Sequence, residues 1–236
     1  MKKLQNKRSI LFLLLIFVVA SAIWYFFFYP NKIKLTIHTD APAYSDMDTL
    51  VNDASYIVVG KYSSFDTTWN MARDPNDASK ESPDSYIEGR LYTFEIESVL
   101  KGEIEEEDIT INLCYASQWD LNEEDTVLVP DLNYTEPEFG TTYILFLEKE
   151  DSPSYQGYYG VGTPFAMKLK EDGFAEIDRN LNTESAMEVH SSNEQIVTLE
   201  FDYNETNLNK FAADVAAMEN SALLDQINDC LQSQTQ

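Results

Sequence analysis

Apolar positions follow three different patterns along the chain. From Ile10 to Tyr29 every residue is uncharged and most are apolar, directly behind the basic start Met1-Lys2-Lys3-Leu4-Gln5-Asn6-Lys7-Arg8. A helix rising about 1.5 Å per residue over that length crosses the ~30 Å hydrocarbon core of a bilayer with its amides bonded internally. The Lys/Arg cluster predicts a cytoplasmic N-terminus and an extracellular domain after about Asn31. A second reading stays open, a leader removed at Ala20-Ser21-Ala22. Cleavage there leaves Ile23 to Tyr29 as an apolar new terminus, whereas in an anchor Trp24 and Tyr25 suit the outer interface.

Beyond the apolar run the pattern switches to period two. Ile33, Leu35 and Ile37 alternate in a short strand or tether, and Leu50 to Ala54 reads as a helical turn. Tyr56 to Tyr62 is β-branched and aromatic, and extends through Phe65 to Trp69 as one bent strand with Gly60 at the bend. Asn70 to Gly89, with two Asp/Asn-Pro-type turn signals, reads as a surface loop. Strands are predicted over Leu91 to Val99, Ile109 to Tyr115 and Tyr143 to Leu147, with Ala116 to Gly140 as a second long loop. Tyr158 to Gly162, Phe165 to Leu169 and Phe174 to Ile177 follow, the last two joined by a tight turn at Asp172-Gly173. Ile57, Val59, Tyr92, Phe94, Ile96, Leu145 and Leu147 are expected to form one barrel core.

After a last strand at Ile196 to Phe201, apolar residues recur at helical spacing from Leu208 through Phe211, Val215 and Met218. They continue beyond a break with Ser221 as N-cap, through Leu224, Ile227 and Leu231. This stripe is expected to cover one side of the β core. The chain thus divides into a basic tail (1–9), an anchor (10–29), a membrane-proximal tether (30–47), a β domain (48–203) and a C-terminal helical segment (204–236).

Charge sharpens this division. All 41 acidic residues lie at or after Asp40, while 4 of the 16 basic ones precede Ser9, so the exported part carries 12 basic against 41 acidic residues, a formal −29. Such a polyanion repels nucleic acid and anionic lipid and attracts basic partners. The acidic runs Glu105-Glu106-Glu107-Asp108 and Glu123-Glu124-Asp125 lack the spacing of a calcium loop and read as solvated turns. Cys114 and Cys230 are the only cysteines. On the oxidising side of the membrane a disulfide between them would clamp the terminal helix to the barrel, and two buried free thiols explain the pair as well. No nucleophile elbow, zinc motif, phosphate loop or dinucleotide fingerprint is present, so the sequence implies no cofactor, metal or catalytic set.

Three segments carry a resemblance: Leu50 to Lys61 ending Val58-Val59-Gly60-Lys61; Tyr92-x-x-Glu95 followed by Lys101-Gly102; and Gly140-x-x-Tyr143 leading into Ile144 to Leu147. Their order and spacing resemble the netrin-module and tissue-inhibitor-of-metalloproteinases type of OB-like barrel. Many uncharacterised exported bacterial proteins share that form, which the chain resembles more closely than the animal inhibitors. The resemblance covers roughly residues 48 to 170. It implies a mainly β, OB-like antiparallel barrel, here with a C-terminal helix and one N-terminal transmembrane helix. It does not carry over zinc-chelating inhibition, because no Cys stands at the domain entry.

These readings converge on a membrane-anchored extracellular binding module rather than an enzyme. The expected partner is an extracellular protein or an envelope glycan; the alternatives are a structural subunit of an envelope complex and a hydrolase acting on envelope material. Large aromatics in or beside the long loops are the candidate ligand-binding residues: Trp69, Trp119 and Tyr134.

Overall fold

The computed structural model describes residues 32–38, 43–178, 186–202 and 206–234. The apolar run Ile10–Tyr29 and the Ala20-Ser21-Ala22 site lie outside the described residues. Among the described residues no helix is long and apolar enough to cross a membrane.

The fold is mainly β, with its helices packed on one face of a curled sheet. In chain order the first elements are β1 (Ile33–His38), α1 (Met47–Asp53), β2 (Tyr56–Asn70), β3 (Arg73–Asp74), β4 (Asp77–Glu81), β5 (Ile87–Lys101), β6 (Asp108–Asn122) and β7 (Asp125–Pro130). They are followed by β8 (Thr142–Glu148), β9 (Tyr159–Gly160), β10 (Ala166–Leu169), β11 (Ala175–Ile177), β12 (Ala186–His190), β13 (Ile196–Asp202), α2 (Thr206–Ala216) and α3 (Asn220–Ser233).

The main sheet runs β11-β10-β8-β2-β5-β6-β7, with β9 added beside β8. Its pairs are antiparallel, and the β2–β5 register slips between Ile57 and Val58, Val59 and Gly60, Tyr62 and Ser64, and Phe65 and Thr67. Each bulge bends its strand and adds twist, so the sheet curls into a half-barrel. At Gly60 the bend is tight: a Cβ there would lie 2.0 Å from the Glu95 carbonyl oxygen. The curl brings the β8–β9 side back to β6. Tyr158 N donates to Thr110 O (2.8 Å) and Asn112 N donates to Tyr158 O (2.7 Å), a bridge between Tyr158 and Ile111.

Inside the curl lie Val58, Tyr62, Tyr92, Phe94, Ile109, Ile111, Tyr143, Leu145 and Leu147. The Tyr62 ring meets Phe94, Tyr143 and Tyr92 edge-on at 5.1, 5.2 and 5.8 Å between centroids, the favoured arrangement of aromatic quadrupoles. The outer face of β2 and β8 instead presents Ile57, Val59, Ile144 and Phe146 to the helices, against Leu50 and Val51 of α1, Phe211 and Val215 of α2, and Leu223 and Ile227 of α3. The expected single core is therefore two. Strict alternation puts Ile57 and Val59 on the helix side, while Tyr92, Phe94, Leu145 and Leu147 fill the curl with Ile96 packed at its margin. The C-terminal stripe covers the sheet as its spacing predicts.

Local chemistry fixes the ends of α1. Asp46 Oδ1 accepts from Thr49 N at 2.8 Å as N-cap, and Lys101 Nζ donates to Val51 O (2.7 Å) and Asn52 O (2.9 Å), a cation on orphan C-terminal carbonyls. The N-cap of α3 is Glu219 rather than Ser221. Asn220 N donates to Gly173 O (2.8 Å) and its Nδ2 to Lys170 O (3.0 Å), which pins the helix start to the β10–β11 turn. On β10, the buried Lys168 ammonium bridges Glu138 (2.8 Å) and Asp178 (3.0 Å).

A second sheet, β1-β13-β12, pairs β1 in parallel with β13. Residues 33–38, read as a strand or tether, are thus built into the domain, with Ile37 buried against Val127, Val129, Val197 and Leu199. Asp125 locks this sheet to the β6–β7 hairpin: its buried Oδ1 accepts from Ser192 Oγ (2.9 Å) and Asn193 N (3.0 Å). The end of the Glu123-Glu124-Asp125 run is therefore a buried clamp and not part of a solvated turn.

Both predicted long loops contain strands. Asn70 to Gly89 holds the β3–β4 hairpin and the start of β5, and Ala116 to Gly140 holds the far half of β6 and all of β7. Both cysteines are free. A bridge is not made because the thiols are committed to different places: Cys230 Sγ donates to Asp48 Oδ1 (2.9 Å) beneath α1, whereas Cys114 lines a cleft beside Asp131.

Candidate functional site

Three segments converge beside β6. The first is β6 itself, presenting Asn112, Leu113 and Cys114. The second is the loop after β7, which Asp131 organises. Asp131 N donates to Tyr115 O (2.8 Å), Asp131 Oδ1 accepts from Asn133 N (2.8 Å), and Tyr134 N donates to Asp131 O (3.2 Å). This is an Asx turn held against the strand. The third is the stretch from Tyr155 to Phe165, which crosses directly over β6. Gly157 there has φ +85°, and a Cβ on it would stand 2.3 Å from Thr110 O, so only glycine permits the crossing.

Between these segments lies a cleft of about 370 Å³, within the range of sites that hold small ligands or single side chains. Tyr134, Tyr155, Tyr159 and Phe165 supply aromatic wall, with Leu113 and Val161 beside them. The Tyr155 and Tyr159 rings stack at 4.0 Å with 17° between planes, each covering one face of the other. Among the lining residues Asp131 alone is charged at neutral pH, and the polar remainder includes Asn112, Asn133 and Thr135. Burial first, and the Asp131 carboxylate second, push the Cys114 thiol up to about 12. Both causes favour the protonated thiol over the thiolate.

Behind Tyr134 stands a polar network. Arg90 donates to Glu88 (3.1 Å), to the Tyr134 hydroxyl (3.0 Å) and to Glu136 (3.0 Å), and its guanidinium lies 3.3 Å from the centroid of the Tyr115 ring. The Tyr92 and Tyr134 hydroxyls are 2.7 Å apart, and both bond Glu136. Burial, then the Glu136 hydrogen bond, holds the Tyr134 phenol far above its ordinary value. Its ring is fixed as a rigid wall.

The three aromatics singled out from the sequence have different positions. Tyr134 lines the cleft. Trp69 reaches it only from behind, its Nε1 donating to Asn112 Oδ1 (3.1 Å) while Arg73 covers the ring at 4.9 Å. Trp119 does not line the cleft; it sits on β6 opposite Val127 and is 40% exposed. The wall residues Tyr155, Tyr159 and Phe165 went unnoticed in the sequence. The signal for the two tyrosines was present in Tyr155-Gln156-Gly157-Tyr158-Tyr159-Gly160, where three aromatics are interleaved with two glycines.

Comparison of the chain with protein-family models, with curated proteins and with solved structures gives no match.

Proposed function

We propose that this protein is a membrane-anchored extracellular binding module, built on an OB-like barrel, that holds its ligand in the Tyr134–Tyr155–Tyr159 cleft without transforming it. The observation that carries the reading is the cleft's composition: a preformed aromatic wall, one carboxylate, and a thiol held protonated. Such a set supports a binding role. The OB-like reading draws support from the curled β2, β5, β6 and β8 sheet, and from the Tyr158 bridge that returns its far side to β6. Membrane anchoring rests on Ile10 to Tyr29 and the basic residues before it.

The ligand expected is an extracellular protein or an envelope glycan. The test is crosslinking of the full-length protein in its native membrane, followed by capture, with Tyr155→Ala and Tyr159→Ala beside the parent chain. The reading expects at least about a tenfold loss of captured partner with the melting temperature unchanged, since both rings line the cleft and the β8–β9 pairing of Tyr159 is made by its backbone. Undiminished capture from both variants would place binding elsewhere.

A structural-subunit reading has one observation of its own. Phe65 (46% exposed) and Phe139 (55% exposed) flank Tyr92, at 5.4 and 6.5 Å between centroids, as an exposed aromatic patch. Capture lost in Phe65→Ser with Phe139→Ser, and retained in the cleft variants, would favour it.

A further inference from the structure

The composition of the cleft wall narrows the ligand further, and the argument rests on the cleft being the binding site. Among the lining residues none is basic, and the single charge at neutral pH is the Asp131 carboxylate. The basic groups nearby are already engaged. Arg90 is held by Glu88, Glu136 and Tyr134, and Lys149 stands 4.5 Å over the Tyr158 ring outside the lining. An anionic ligand would meet this carboxylate inside a domain of formal charge −29. A neutral sugar could stack on the tyrosines and would gain nothing from either charge.

An organic cation gains from every feature at once. The Tyr134 ring already carries the Arg90 guanidinium 5.2 Å from its centroid, so the aromatic surface left to attract positive charge is that of Tyr155 and Tyr159, an effect that strengthens as the cation is desolvated. Leu113, Val161 and Phe165 offer apolar contact to a methylene stem, as long basic side chains prefer. Asp131 is fixed for the role: its Oδ1 is already oriented by Asn133 N at 2.8 Å, so little side-chain entropy remains to be lost on binding. The field of the acidic domain steers such a partner toward it. We propose that the cleft receives the charged end of a lysine or arginine side chain presented by a basic protein partner, with Asp131 as its counter-ion and the Tyr155–Tyr159 pair as its aromatic wall.

The test uses the full-length protein in detergent micelles with ring-labelled tyrosine, titrated with the blocked tripeptides Gly-Lys-Gly and Gly-Arg-Gly, with Gly-norleucine-Gly as neutral control, and with a chitin oligosaccharide. The basic peptides should shift the Tyr155 and Tyr159 resonances and bind at least about tenfold more tightly than the norleucine peptide, with affinity falling as salt rises. Asp131→Asn, whose amide oxygen can still accept from Asn133 N, should remove about tenfold of that affinity. Glu123→Gln, the same change of charge on the β6–β7 turn, should alter it by less than about twofold. Should Asp131→Asn lower the melting temperature, Tyr159→Leu gives the second measurement, with the same tenfold loss expected. Equal binding of norleucine and lysine peptides, or equal effects of Asp131→Asn and Glu123→Gln, would overturn the proposal. Binding of the oligosaccharide alone would overturn it and leave the binding-module reading standing. Tyrosine resonances unmoved by every probe, together with undiminished partner capture by Tyr155→Ala, would overturn both.

Discussion

A thiol buried next to a carboxylate is pushed to hold its proton, and both cysteines are in that position. Burial, then Asp131, raises Cys114 from 9.0 to about 12; burial, then Asp48, raises Cys230 from 9.0 to about 11. The unfolded chain loses these protons near 9 and the folded chain does not, so the folded state binds more protons above that pH. Their stabilising contribution is whole below pH 9 and is lost as pH rises through about 11 to 12. At pH 8 the native protein should resist iodoacetamide at both thiols and consume it fully once unfolded in urea. Rapid native labelling at Cys114 would show a thiolate there. The sequence permitted a disulfide because two cysteines allow one, but pairing depends on where each thiol points. No spacing rule reveals that Cys114 turns to Asp131 and Cys230 to Asp48.

At the scale of elements, alternation was legible where one strand has one buried face and failed where two cores share a strand. β5 placed Tyr92 and Phe94 correctly, since Glu95 and Glu97 on its other face are exposed, although Leu91 there is buried. β2 and β8 are covered on both sides, and nothing in Tyr56 to Tyr62 says which parity faces the curl; of the helices that claim Ile57 and Val59, α1 lies just before β2, but α2 and α3 lie about 150 residues or more further on. The long loops were misread for a related reason. Polar β3–β4 and the half-exposed β6–β7 hairpin are stabilised by pairing and by distant partners such as Val197 and Ser192, which local composition does not display. The candidate site inherits this limit: Tyr134 was legible as a large aromatic in a polar stretch, whereas Tyr155 and Tyr159 acquire meaning only when Gly157 lets their loop cross β6.

The corrected faces make a sharper prediction than the single core did. Phe94→Ala in the curl and Phe146→Ala on the helix side should each cost about 3–5 kcal/mol in urea denaturation. Being on opposite faces without shared side-chain clusters, they should add to within about 0.5 kcal/mol. Gly60→Ala tests the bend itself. Its methyl would collide with the Glu95 backbone at 2.0 Å and with the Phe94 ring at 2.7 Å, so β2 must part from β5. A loss under about 1 kcal/mol at Gly60 would mean that the strand bends elsewhere.

At the scale of the whole molecule, the decisive element is β1. A tether would leave residues 33–38 outside the packed domain, but they are a strand in parallel register with 197–202, and Lys32 just before them pairs with Glu188 of β12 at 2.8 Å. Parallel pairing also makes β1 costly to lose. It covers one edge of β13, and Ile37 contributes to the core around Val197 and Leu199. A chain starting at Asn31 should therefore be soluble, monomeric and cooperatively folded. A chain starting at Ala43 should expose the β13 edge and its apolar face, and self-associate. Size-exclusion chromatography with hydrogen exchange at 186–202 checks both. Equal protection and a monomeric profile in the two chains would make residues 33–38 a dispensable tether, and would show that the β1–β13 register contributes little to the fold.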